Sequence, residues 1–176
     1  MKPIYSLALV FCCLVLSVTA SAQREGKKFS VGFGLEAGIP TGDAKTAYNV
    51  TGGMTIRFSY LAGPGYVTLT SGGIVFAPKS LSGETLKAGL QIPIKAGYKY
   101  LINEHFFVMG EMGYSTVKTY YKDQNDNLAS VSSGGFTFAP AIGVQSHSFE
   151  FSVRYESTSV DGGNLSFAGA RIGFNF

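Results

Sequence analysis

The chain has 176 residues, of which 14% are charged, and its formal net charge is +3, too small to indicate a nucleic-acid or anionic-surface partner. Its only two cysteines, Cys12 and Cys13, lie near the start, so the chain beyond them can form neither a disulfide nor a thiolate metal site. After residue 22 no run of about 18 apolar residues occurs, and we predict no transmembrane helix.

The first 22 residues have the features of an export signal. Lys2 precedes an apolar stretch, and Ala20-Ser21-Ala22 has the small-x-small pattern of a signal-peptidase site. We therefore predict a signal peptide over residues 1–22 and a single barrel domain over residues 23–176. Phe11, rather than a small residue, precedes Cys12, which argues against a lipid anchor on that cysteine.

From Phe29 onward the chain repeats one unit, a short run in which apolar and polar residues alternate, as they do in a strand with two unlike faces. In the first run, Phe29, Val31, Phe33 and Leu35 share one face. The pattern predicts eight strands, near Phe29–Glu36, Met54–Leu61, Tyr66–Phe76, Leu90–Tyr100, Phe106–Ser115, Phe136–Gln145, Phe149–Glu156 and Phe167–Phe176.

All the charges inside these runs fall on the polar face, and their near balance of sign predicts mutual pairing. They are Glu36, Arg57, Lys95, Lys99, Glu111, Glu150, Arg154, Glu156 and Arg171. Many of the smallest residues share this face, among them Gly32, Gly34 and Gly173. Small residues make room for buried charges in a narrow lumen, whereas glycine gains nothing on a strand face exposed to water. The pattern thus favours a polar interior and an apolar exterior.

The predicted connections alternate in length. Those near 39–52, 77–88, 116–133 and 157–165 are long, and those near 62–65, 101–105 and 146–148 are short. Membrane barrels have tight periplasmic turns and longer outer loops, so the four long loops are expected outside. Pro93 and Pro140 lie inside predicted strands, where we expect a bulge or local break beside each.

The end of the chain, Ile172-Gly173-Phe174-Asn175-Phe176, resembles the eight-stranded outer-membrane barrel family typified by OmpX and the OmpA transmembrane domain. The resemblance implies an all-β, eight-stranded antiparallel up-and-down transmembrane β-barrel. It implies that Phe174 and Phe176 act as the assembly signal, although Arg171 stands where that signal usually has glycine. It also implies, as partners, outer-membrane lipid, lipopolysaccharide, periplasmic chaperones and the insertion machinery.

Residues that could carry chemistry are few. His105 and His147 are the only histidines and map to short turns on the periplasmic side, away from the outer leaflet where the lipid-modifying enzymes of the wider family act. The segment Asp123–Asn127 begins like a calcium loop, but Leu128 replaces its turn glycine and Gly134 its bidentate glutamate. The sequence predicts no catalytic residue, metal site or cofactor.

Eight strands enclose a lumen that side chains just fill, so we expect the inward charges to form a plug. The leading prediction is a monomeric outer-membrane protein of a Gram-negative bacterium, with a structural, adhesion or surface-interaction role through its outer loops. Two alternatives stay open at this point: a narrow pore for solutes or ions, and a soluble periplasmic lipocalin-like carrier with the two faces exchanged.

Overall fold

The computed structural model describes residues 28–79, 86–122, 128–160 and 163–176. Each strand pairs antiparallel with the next along the chain, and β8 pairs with β1, which closes the barrel. The strands are β1 (Phe29–Thr41), β2 (Tyr48–Ala62), β3 (Gly65–Pro78), β4 (Leu86–Leu101), β5 (Phe106–Lys122), β6 (Leu128–Ser146), β7 (Phe149–Val160) and β8 (Gly163–Asn175). One short helix, α1 (Ala44–Ala47), follows β1. Within this part of the chain, no helix is long and apolar enough to cross a membrane.

The eight predicted strands are confirmed, but their ends were wrong on one side of the barrel. We call the side with the two- to four-residue turns the turn end, and the opposite side the distal end. At the distal end β6 begins at Leu128 rather than near Phe136, and β2 begins at Tyr48 rather than near Met54. The predicted long loops are therefore shorter, and the connections there are 42–47, 79–85, 123–127 and 161–162.

The outward face of the barrel is apolar. Leu35 and Ile94 are each 60% exposed, although a soluble protein would bury such side chains. The nine charges singled out from the sequence lie on the opposite face, where Arg57 and Arg171 are completely buried. This arrangement is the reverse of a lipocalin-like carrier, which would keep apolar residues inside and charges outside.

Pro93 and Pro140 interrupt the ladder without shifting it. Between β3 and β4 the pairing passes from Ser71–Ile94 to Ile74–Gln91 and keeps the same register. Between β6 and β7 it likewise passes from Phe138–Ser157 to Ala141–Arg154. The local break expected beside each proline is present, and the alternative of a bulge is wrong there. The register shifts that do occur lie at the distal end, near Tyr48 on β2 and near Leu86 on β4.

Both histidines lie in exposed turns at the turn end, as the sequence predicts. His105 belongs to the β4–β5 turn, in which the side chain of Asn103 accepts hydrogen bonds from the N–H groups of His105 (2.9 Å) and Phe106 (2.7 Å). His147 is in the two-residue β6–β7 turn. The third turn depends on Gly63, whose φ of 62° is the left-handed conformation that glycine adopts without a steric penalty.

Candidate functional site

The candidate site is the barrel interior, where the structure places all nine charged residues singled out from the sequence. None of these side chains is more than a few per cent exposed. They come from six strands: Glu36 (β1), Arg57 (β2), Lys95 and Lys99 (β4), Glu111 (β5), Glu150, Arg154 and Glu156 (β7), and Arg171 (β8). Strands β3 and β6 contribute no charge and instead provide hydroxyl groups such as Thr70 and Thr137.

Glu150 is the carboxylate with the most cationic partners. Its Oε1 accepts hydrogen bonds from Arg57 Nη1 at 2.6 Å and from Arg171 Nη1 at 2.9 Å. Its Oε2 accepts a hydrogen bond from Lys99 Nζ at 2.8 Å. Charge-assisted bonds of this kind are about twice as strong as neutral ones. One carboxylate therefore joins β7 to three other strands.

Glu156 organises a second group nearer the distal end. Its Oε2 lies 2.5 Å from Lys95 Nζ and 3.0 Å from Arg154 Nη2, and its Oε1 accepts a bond from Gln91 Nε2 at 2.8 Å. Arg154 also contacts Glu36 of β1. The guanidinium of Arg154 is thus held between two carboxylates on different strands.

Two threonines link the arginines around Glu150 to two further glutamates. Arg57 Nε donates to Thr70 at 3.0 Å, and the Thr70 hydroxyl donates to Glu111 Oε1 at 2.5 Å. In the same way Arg171 Nε donates to Thr55 at 3.1 Å, and Thr55 donates to Glu36 Oε1 at 2.7 Å. Each hydroxyl accepts from an arginine and donates to a glutamate, so the polarity of each chain is continuous.

An apolar cluster closes the distal end of the interior, and sequence reasoning missed it. We call it the distal cap; its members are Ala44, Tyr48, Ile74, Phe76, Val117, Leu165 and Phe167. The rings of Tyr48 and Phe76 are 5.4 Å apart, and those of Phe76 and Phe167 are 5.8 Å apart, both edge to face. Ile74, Phe76, Val117, Leu165 and Phe167 lie on the same face of their strands as the interior polar groups, so this face changes from polar to apolar toward the distal end. Tyr48 has the opposite parity and lies beyond the register shift between Tyr48 and Val50.

Aromatic rings also border the charged groups directly. The Arg154 guanidinium lies 5.4 Å from the centre of the Phe167 ring in the distal cap. Toward the turn end, Lys99 Nζ lies 4.8 Å from the ring centre of Phe107 and 5.3 Å from that of Tyr66. Cations are attracted to ring faces at these distances. Rings therefore border the interior charges toward both ends.

The two terminal phenylalanines lie on the outside of the barrel. Phe174 packs edge to face on Phe149 of β7, with the ring centres 5.8 Å apart. Phe176 contacts Phe33 of β1, and its backbone N–H donates to the carbonyl of Val31 at 2.9 Å. The last residues are thereby fixed to both neighbouring strands.

The interior arrangement pairs five cationic side chains with four carboxylates and fixes strands relative to one another. Glu150 and Glu156 each have their own cationic partners. Among the residues that the structure describes, no three His, Cys, Asp or Glu side chains are grouped so as to hold a metal ion. The segment Asp123–Asn127, weighed as a calcium loop, lies outside those residues.

Similar proteins share this fold. The crystal structure of Ail, the attachment invasion locus protein of Yersinia pestis, matches with a TM-score of 0.62 and 15% identity, over 84% of this chain and 97% of Ail. The N-terminal β-barrel domain of Pseudomonas aeruginosa OprF matches with a TM-score of 0.63 and 14% identity, over 86% of this chain and 100% of that domain. Neisserial surface protein A matches with a TM-score of 0.58 and 11% identity, over 86% of this chain and 100% of its own.

At these identities the three structures establish the fold alone. No curated protein sequence matches the chain. The family model described as "Outer membrane protein beta-barrel domain" matches residues 8–176, nearly the whole length. With the apolar exterior and the closed eight-stranded barrel, this match shows that the chain belongs to the outer membrane protein beta-barrel domain family.

Proposed function

We propose that this protein is a barrel sealed along its axis, with a structural, adhesion or surface-interaction role carried by the segments at its distal end. The observation that supports the proposal is the filling of the interior. Ion pairs cross the lumen from β2 to β7 and from β4 to β7, and the distal cap covers them. Lys95, a member of the second pair, and Gln91, which donates to the same Glu156, are completely buried.

The filled interior favours this role over a pore. A conducting path needs a continuous polar gap, whereas here three aromatic rings pack together at one end of the lumen. Eight-stranded barrels have an interior that side chains can fill, and wider barrels leave an aqueous channel. A rigid barrel of this kind leaves recognition to the connecting segments.

We further propose that the distal end faces the outside of the cell and that residues 1–22 are a cleaved signal peptide. Phe174 and Phe176 would be read by the insertion machinery, after delivery by periplasmic chaperones. The mature barrel would be a monomer in contact with outer-membrane lipid and lipopolysaccharide. The apolar exterior supports the lipid contact, because its side chains would otherwise face water.

Conductance tests the sealed interior. Residues 23–176, refolded in detergent and inserted into planar bilayers, should give no single-channel steps, while a general porin at the same protein concentration gives them. Reproducible steps from the refolded barrel would overturn the sealed barrel and support the alternative of a narrow pore.

Cell binding tests the surface role. Ail has been crystallised with the heparin analogue sucrose octasulfate, and exposed Lys45 and Lys118 lie toward the distal end here. We expect cells that express the full chain to retain more heparin than cells that express a Lys45→Gln, Lys118→Gln variant at equal surface level. Equal retention by both would exclude a sulfated polysaccharide bound through these lysines.

Replacing residues 123–127 with a short glycine and serine linker tests whether the connection between β5 and β6 carries the surface role, whatever its ligand. If adhesion to host cells, surface binding and envelope integrity are all unchanged by this replacement and by deletion of the whole gene, the proposed role is wrong.

A further inference from the structure

Two of the eight ladders are interrupted without a change of register, and both of these interruptions lie at prolines. Between β3 and β4, the pairs Gly72–Pro93 and Gly73–Ile92 are missing from an otherwise regular register. Between β6 and β7, the pairs Ala139–Glu156 and Pro140–Tyr155 are missing. We call these two places the proline seams.

The missing N–H of proline accounts for each seam. Opposed residues in an antiparallel ladder alternate between pairs that exchange two hydrogen bonds and pairs that exchange none. When proline occupies a bonded position, one of the two bonds is lost, and the ladder fails at that pair and at one neighbour. The carbonyls of Gly72 and Tyr155 thereby lose their ladder donors. In a membrane, backbone groups have no bulk water to replace such a bond.

The seams enclose the three longest strands. β4, β5 and β6 have 16, 17 and 19 residues, and they lie side by side between the two interruptions. Inside this group the β5–β6 ladder is continuous over its whole length, and the β4–β5 ladder is continuous from Gly89 to Leu101. We call β4, β5 and β6 the panel.

Side chains also hold the panel to the rest of the barrel. Lys95 and Gln91 of β4 both bond to Glu156 of β7, at 2.5 Å and 2.8 Å. Thr137 of β6 bonds to Thr158 of β7 at 2.6 Å, beside the second seam. Glu156 is itself one of the residues whose ladder pair is missing.

We propose that the panel opens locally along both proline seams while the rest of the barrel wall stays closed, and that the bonds to Glu156 set how often it opens. Such local opening would let the wall of a sealed barrel change shape while the barrel as a whole stays folded. It depends on ladder geometry and interior contacts, and does not require the surface role proposed above.

Amide hydrogen exchange of the refolded barrel in detergent micelles tests this directly. The amides that face the seams should exchange faster than amides that face the continuous β4–β5 ladder, because local opening exposes them more often. The seam-facing amides are those of Gly72, Ile74, Gln91, Phe138, Ile142, Val153, Tyr155 and Ser157, and the reference amides are those of Ala96, Tyr98, Met112 and Tyr114. Equal protection in the two sets would overturn the proposal.

Restoring the missing donor tests the cause. Pro140→Ala and Pro93→Ala should each slow exchange at their own seam by about 2- to 10-fold, the effect of one net hydrogen bond. Pro40→Ala is the matched control, because Pro40 of β1 lies in the continuous β1–β8 ladder. If seam exchange is equally fast in Pro140→Ala and in the control, prolines are not the cause and the proposal fails.

Two further variants test the movement. Glu156→Gln should speed exchange at both seams, since it weakens the bonds from β7 to the panel.

A disulfide between Gly73→Cys and Ile92→Cys, directly opposed across the first seam, should slow exchange at that seam until it is reduced. A matched disulfide between Ala96→Cys and Met112→Cys, opposed in the continuous ladder, should leave the seam unchanged. Equal effects of the two disulfides would contradict local opening.

Discussion

Arg57 on β2 donates a 2.6 Å hydrogen bond to Glu150 on β7, across the inside of the barrel. Both side chains are completely buried. Arg171 shares the same carboxylate oxygen from β8, so a single acidic group holds two guanidiniums on strands that do not neighbour each other. Burying these charges is unfavourable unless they are paired, which makes the pairing a condition of the fold.

Loss of the Glu150 carboxylate should therefore destabilise the barrel strongly. In Glu150→Ala, Arg57, Arg171 and Lys99 lose their shared partner, and we expect the free energy of unfolding to fall by about 3–5 kcal/mol. Urea titration in micelles, followed by circular dichroism and by mobility of the unboiled protein on gels, measures this. Glu104→Ala, in an exposed turn, is the control. Equal stability of the two variants would mean that water reaches the interior charges.

A methyl group at Gly34 should disturb the same network. A Cβ at this position would collide with the guanidinium of Arg171, whereas a Cβ at Gly52 on the outer face meets only the carbonyl of Glu36, at 3.7 Å. We expect Gly34→Ala to cost about 1–3 kcal/mol, as overpacking does. Gly52→Ala should be tolerated. Comparing urea midpoints distinguishes the two, and a larger loss in Gly52→Ala would contradict the inward assignment of Gly34.

A charge on the outer face should be costly in a way that depends on depth. Ile94 is 60% exposed along the middle of β4, and Ile102 is 57% exposed in the following turn. In a lipid bilayer, Ile94→Arg should cost about 2–4 kcal/mol and Ile102→Arg about 0–1 kcal/mol. Refolding into vesicles with urea titration gives both values. Equal costs would place the apolar face elsewhere than in the hydrocarbon core.

The distal cap should contribute to stability through its packing. Phe76 is 1% exposed and packs edge to face with Tyr48 and Phe167. Phe76→Ala would leave a cavity, and we expect a loss of about 3–5 kcal/mol. Phe136→Ala, on the outer face, should lose less, because solvent or lipid fills the space. If Phe136→Ala is the more damaging, the cap is not packed as described.

The number of strands, and the face on which the side chains of each predicted run lie, could be predicted from the sequence. Apolar and polar residues must alternate where one face of a strand meets lipid and the other meets the lumen. At the distal end this contrast is lost. Gly134, Gly135 and the serines before them show no alternation of apolar and polar residues, yet β6 extends through them. Pairing with β5, a relationship between distant residues, extends the strand there.

The composition of the interior was predicted for the charges and missed for the cap. Ile74 and Phe76 share a parity with Thr68 and Thr70, and nothing in an alternating pattern says that apolar residues will meet inside. Their partner Phe167 is 91 positions further along the chain than Phe76, so only the closed barrel brings them together. The sequence predicts a local break at Pro93 and at Pro140. It does not predict that the two breaks border the same three strands, β4, β5 and β6.

The distribution of charge over six strands bears on how the chain must fold. The partners Arg57 and Glu150 are 93 residues apart, Lys95 and Glu156 are 61 apart, and Lys99 and Glu150 are 51 apart. A hairpin that forms early would hold its charges without these partners, and this unfavourable free energy would be removed only when the barrel closes. Partly built barrels are thus electrostatically unfavourable in lipid, and the chain is expected to insert cooperatively, with few stable intermediates.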